Sequence, residues 1–228
     1  MGSSNSAAAI RRPAVGEVEV RKRRFAFPRP WFTAILTAAI LAVELATWHN
    51  PGRHRRLVVA LGINWENLLT LRAQRLLGNV FVQQSPGVTL PILLLVGVSC
   101  FAYERARGAR RAGIVFFVAD LVGSAASLML LRAVGVTGNQ TAVRWSSSLE
   151  TGASVGAFGC LGASAAVAHG KPKIAATALG VAAFVAPMIW NPKFADVQHG
   201  FGFAAGALTG HLLDAAWRLS APATESPP

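Results

Sequence analysis

Two residues of this chain have the types and surroundings for covalent chemistry. Ser154 lies in Gly152-Ala153-Ser154-Val155-Gly156-Ala157-Phe158-Gly159, and His199 opens His199-Gly200-Phe201-Gly202. Each sits near the start of an apolar stretch. A serine hydroxyl is a weak nucleophile until a neighbouring base takes its proton. Imidazole suits that task near neutral pH. Together they could attack and release an acyl group, provided the fold brings them together. The bland alternative stays open: serines in apolar helices often bond back to a carbonyl, and Gly-x-x-x-Gly faces often serve packing alone. Other chemistries find no motif. There is no His-Glu-x-x-His and no Gly-rich phosphate loop. Cys100 and Cys160, the only cysteines, fall in apolar stretches and suggest neither a disulfide framework nor a zinc cluster. His169 and His211 lack partners at metal spacing. No cofactor and no metal are expected.

The elements that must position these residues are apolar helices. Apolar residues make up 53% of the chain and charged residues only 14%, against roughly 25% charged in a soluble domain. The apolar residues come in blocks close to the ~20 residues that cross a bilayer. Six spans are expected, near 31–48, 87–104, 112–132, 151–168, 173–190 and 197–217. Helices are expected because an open sheet cannot satisfy its backbone in lipid. The fold class is therefore all-α, a polytopic six-helix membrane bundle over residues 31–217. A basic, disordered cytoplasmic tail is expected over 1–30 and a short polar tail over 218–228. The first span follows basic residues, as a signal peptide would, but no small-residue cleavage site follows it, so it reads as an uncleaved anchor.

The formal net charge is +12. Basic residues flank the apolar spans, so they are read as orientation signals and not as a nucleic-acid surface. With the N-terminus inside, fourteen Lys and Arg fall on the inner side and eight on the outer. This bias places the N-terminus in the cytoplasm. Trp31, Trp48, Trp145, Trp190 and Trp217 fall near span ends, as interfacial anchors do. The outer loop 49–86 interleaves Trp65, Leu68, Leu69, Leu71, Leu76 and Leu77 with Glu66, Arg72 and Arg75. That pattern suits amphipathic helix in the interface, or a folded loop that touches no lipid.

Under this topology the fourth and sixth spans both enter from outside. Ser154 and His199 then lie at similar depths. Gly202, Gly206 and Gly210 share a helical face with His199, and such a face admits close approach of another helix. Gly152, Gly156, Gly159 and Ala163 form a second small stripe, roughly opposite Ser154 and Phe158. The fourth span could thus contact neighbours on both sides and be central; if the sixth packs against its Ser154 face, the hydroxyl and imidazole could meet. Asp120 shares a face with Gly123, Ser124 and Ser127 and reads as the centre of a structural hydrogen-bond network or as a functional acid. Asp196 precedes His199 by three residues and could orient it. Glu44 is expected to reach the outer interface.

These residues resemble the rhomboid intramembrane serine proteases. Gly152-Ala153-Ser154 followed by Phe158-Gly159 is similar to the family's nucleophile motif. His199-x-x-Gly202-x-x-x-Gly206 is similar to its histidine motif. Arg75-Leu76-Leu77-Gly78-Asn79-Val80-Phe81-Val82-Gln83 resembles the segment leading into the second span, and Glu104-x-x-x-Gly108 the end of that span. The resemblance implies a rhomboid-like six-helix bundle, a Ser154–His199 dyad without an acid, and single-span membrane proteins as substrates in the lipid bilayer. The family's His-x-x-x-Asn oxyanion pair maps to Val88 and Ile92, neither of which donates a side-chain hydrogen bond. Gly152, the amide of Ser154 with a neighbouring amide, and Gln83 or Gln84 are the remaining candidates for oxyanion support. Val155 replaces the small residue usual after the serine. The alternative is an inactive relative that binds transmembrane segments; a small transporter is suggested only by Asp120. Composition points to a bacterial plasma membrane.

Overall fold

A computed structural model describes residues 30–70 and 72–220. The expected tails lie outside these residues, except Pro30 and residues 218–220, which are described. Among the described residues the secondary structure is helical, with one isolated bridge between Ile63 and Glu150. The helices are α1 (Trp31–Thr47), α2 (Pro51–Leu61), α3 (Trp65–Leu68), α4 (Ala73–Gly78), α5 (Thr89–Arg107), α6 (Ala109–Val136), α7 (Gln140–Ser147), α8 (Ser154–Val167), α9 (Lys171–Trp190) and α10 (Phe194–Ser220).

Three helices are long and apolar enough to cross a membrane: α5 with the turn before it (Pro86–Arg107), α6 and α9. The apolar helices α1 and α8 are shorter, at 17 and 14 residues. At 1.5 Å per residue α8 reaches only about 21 Å, less than the roughly 30 Å of a hydrocarbon core. Its short length follows from its place. α8 is enclosed by α5, α6, α9 and α10, and most of its residues are buried. The expected central position of this helix is what the structure has.

Small residues set the packing. A side chain at Gly206 would run into the carbonyl of Gly159, and one at Gly202 would meet the carbonyl of Val155 at 2.6 Å. Gly210 faces Ala163 in the same way, at 2.8 Å. The glycine face of α10 thus lies directly on α8. It meets the Val155–Gly159–Ala163 side and not the Ser154 side. The 100° advance per residue puts Ser154 and Phe158 at the edge of this contact instead. On the other flank, Gly156 packs against the ring of Phe116 from α6.

α1 begins after Pro30 with no side-chain cap of its own. Glu104, near the end of α5, supplies it. Its carboxylate accepts from the amides of Phe32 (2.9 Å) and Thr33 (2.8 Å) and from the Thr33 hydroxyl (2.6 Å). A buried carboxylate at orphan N-terminal amides satisfies both partners.

The outer loop, read as interfacial helix or as a folded loop, is α2, α3, α4 and two 3-10 turns, Asn79–Phe81 and Pro86–Val88. Leu68 is buried, and Trp65 and Leu76 pack beside it on Leu128, Leu131 and Phe194. Leu69 and Leu77 stay exposed. Two expectations need correction. Trp145 is not a span-end anchor: it belongs to α7, a short helix capped by Asn139, and packs into this cluster. Glu44 does not reach out. It is 4% exposed, on the buried stripe of α1 with Thr33, Leu36, Ile40 and Thr47. Trp31, Trp48, Trp190 and Trp217 are exposed at or near helix ends.

Candidate active site

Ser154 is the first residue of α8, and His199 lies one turn into α10. Both line one cavity of about 490 Å³. His199 lies flat on Phe158, with ring centroids 4.3 Å apart and planes 17° apart. Phe158 is one turn after Ser154, so the stack ties the imidazole to the nucleophile's helix. Phe184 from α9 backs Phe158 edge-on at 6.4 Å. The Nε2 atom of His199 is buried and has no hydrogen-bond partner among the described residues. The structure brings the two residues to one cavity without a direct hydrogen bond between Ser154 and Nε2. Catalytic hydrogen bonds often tighten only with substrate in place.

Local sequence explains the approach to Ser154. Gly152 has φ +134°, which favours glycine. Its amide donates to the carbonyl of Asn79 at 3.0 Å. Ala153 provides no side-chain cap to α8. The amides of Ser154 and Val155 therefore begin the helix without intrahelical partners. They lie on the positive end of the helix dipole, where developing negative charge is favoured.

Of the expected supports, Gly152 lines the cavity and Gln83 does not. Gln83 is fully buried next to Gly152, and its Oε1 is the nearest atom to a Cβ placed there, at 3.1 Å. Its Nε2 donates to the Val80 carbonyl at 3.2 Å. Gln84 is on the cavity wall instead. It donates to the Leu149 carbonyl and accepts from the Thr151 hydroxyl. Val88 and Ile92 both line the cavity, so apolar side chains stand on that wall.

Asp196 caps its own helix: its Oδ2 accepts from the Lys193 amide at 2.9 Å. This is half of a capping box, which explains an acid three residues before His199. Asp120 is buried on α6 and accepts from Asn79 Nδ2 at 3.1 Å. Ser127 bonds back to the Gly123 and Ser124 carbonyls. Asp120 is thus tied to Asn79 across elements, while Ser127 of its own face bonds back to its own helix.

Three features escaped sequence reasoning. Asn79 connects Asp120 to Gly152 and also lines the cavity; its only sequence signal was its place in the motif-like segment before α5. Glu150 lines the cavity too, half-buried, with its backbone paired to Ile63. Burial pushes its carboxyl up from 4.5 to about 7. Asp214 of α10 holds Arg107 at 2.6 Å and Arg111 at 3.2 Å. His169 and His211 are exposed, both cysteines are free, and the described residues contain no cluster of metal-ligating side chains. No protein-family model matches the chain, and no curated protein is similar to it.

Proposed function

We propose that this chain is a rhomboid-like intramembrane serine protease, a six-span bundle with its N-terminus in the cytoplasm. The observation that carries this reading is the shared cavity of Ser154 and His199, with the imidazole stacked on the helix that bears the serine. Ser154 attacks the scissile carbonyl, and His199 takes its proton and later gives it to the leaving amine. Negative charge on the tetrahedral intermediate falls to the free amides of Ser154 and Val155 at the start of α8. Side-chain donors are missing where Val88 and Ile92 stand; one such donor is worth about 2.7–4 kcal/mol of barrier. The expected enzyme is therefore slow. Its substrates are single-span membrane proteins whose helix opens near the outer interface, since an intact helix keeps its backbone fully bonded.

The apolar pair Val88 and Ile92 favours a second reading, a non-catalytic protein that binds transmembrane segments in the same cavity. A serine-directed phosphonate and a model transmembrane substrate separate the two. The protease is expected to be labelled and to cleave, and Ser154→Ala to do neither. No Ser154-dependent labelling or cleavage across several substrates supports the binding protein. Cleavage that survives both Ser154→Ala and His199→Ala removes the dyad.

A further inference from the structure

At the far end of α5, α6 and α10 lies a second crevice, of about 830 Å³. Arg107, Arg110, Arg111 and Arg218 line it with one carboxylate, Asp214. Four cations against one anion leave it strongly positive. Asp214 sets the geometry: it accepts from Arg107 Nε at 2.8 Å and from Nη2 at 2.6 Å, and from Arg111 at 3.2 Å. The Arg111 guanidinium also lies 4.6 Å from the centroid of the Trp217 ring. Arg110 and Arg218 are exposed and make no ion pair among the described residues. Tyr103, fully buried and within electrostatic reach of Asp214 and Arg111, has a hydroxyl without a partner. Ile114 and Leu213 add apolar wall.

The position of the crevice says what it meets. Trp217 is roughly 27 Å along α10 from His199, at 1.5 Å per residue. That is close to one hydrocarbon thickness. Trp217 is 67% exposed, as a residue at a membrane interface is. With the Ser154 cavity at one interface, the arginines stand at the other, beside phosphates.

We propose that this crevice binds the phosphodiester headgroup of an anionic glycerophospholipid. Arg110 and Arg218 take the phosphate, the Asp214-fixed Arg107 and Arg111 supply the surrounding positive field, and Ile114 and Leu213 lie along the start of an acyl chain. Excess positive charge selects an anionic lipid over a zwitterionic one, whose ammonium offsets the phosphate. The site rests on the membrane placement and needs neither Ser154 nor His199.

The test uses the full chain in neutral detergent with equimolar phosphatidylglycerol and phosphatidylcholine, read by native mass spectrometry. Retention of phosphatidylglycerol over phosphatidylcholine is expected at roughly 25-fold, from two arginines at about a factor of five each. In Arg110→Ala/Arg218→Ala the preference is expected to fall below about twofold at an unchanged melting temperature. Arg110→Gln alone, at an exposed position, gives an intermediate loss and serves should the double variant unfold. Equal retention of the two lipids by the unaltered protein, or an unchanged preference in the variants, overturns the proposal. A sodium phosphate arm separates the sources: free phosphate that displaces phosphatidylglycerol at millimolar concentration overturns the lipid assignment, and its failure to compete supports it.

Discussion

The His199 imidazole and the Phe158 ring are parallel within 17° and 4.3 Å apart, so the base is oriented by the helix that carries the nucleophile. A ring pair of this kind contributes about 0.5–1.5 kcal/mol beyond burial. Phe158→Leu keeps an apolar side chain and removes the stacking plane. The rate of Ser154-dependent phosphonate labelling is expected to fall about two- to tenfold, which is this energy expressed as a barrier. Melting temperature reports folding alongside. An unchanged rate in a folded variant means the stack does not position His199.

The contact between α8 and α10 has almost no tolerance for a methyl group. A Cβ at Gly206 meets the carbonyl carbon and oxygen of Gly159, which are backbone and cannot turn aside. Overpacking of this kind costs about 1–3 kcal/mol. Gly206→Ala is therefore expected to lower stability by that amount in a denaturation experiment. Gly97→Ala is the matched control. A Cβ there meets nothing within 4 Å, and replacing a helical glycine is worth about 0.5–1 kcal/mol in the other direction. Equal effects at the two positions are the outcome that would falsify close helix approach as the reason for the glycine face.

Much of this arrangement is legible in the sequence because apolar periodicity and small-residue faces act locally. Gly202, Gly206 and Gly210 announce a close helix contact, and the matched places of Ser154 and His199 follow from helix order. Sequence shows which face is small but not which neighbour fills it. The α10 face meets Val155, Gly159 and Ala163, a side rotated from Ser154, while the Phe116 ring occupies the Gly156 side. The polar bonds were hidden for a different reason. Glu104 caps α1 from about seventy residues away, and Asp120 reaches Asn79 from another helix. Nothing in local spacing marks such partners. Glu44 read as interfacial because only its span position was visible, whereas tertiary packing buries its stripe.

Asp120 gives a direct measure of one such hidden bond. Asp120→Ala leaves the buried Asn79 Nδ2 without its acceptor. A buried donor left unsatisfied costs about 1–3 kcal/mol. Asp120→Ala is expected to destabilise by that amount, and Asp120→Asn by less, since its amide oxygen still accepts from Asn79. Denaturation of both variants checks the order. A structural role also predicts that Asp120→Asn keeps Ser154 labelling; a collapse of labelling at native stability would make Asp120 part of the chemistry.

Glu150 supplies a pH dependence with a defined sign. Burial raises its carboxyl from 4.5 to about 7 in the folded protein. Between those values the folded chain holds a proton that the unfolded chain has released. Proton binding there favours folding, so this contribution is complete below about pH 4.5 and is lost as pH rises through 7. Glu150→Gln is neutral throughout, while its backbone pair with Ile63 does not involve the side chain. The unaltered protein is expected to lose melting temperature between pH 5 and pH 8, and the variant to lose less. The two should match near pH 5, with the variant the more stable at pH 8. Parallel curves for the two proteins would assign the pH dependence to another group.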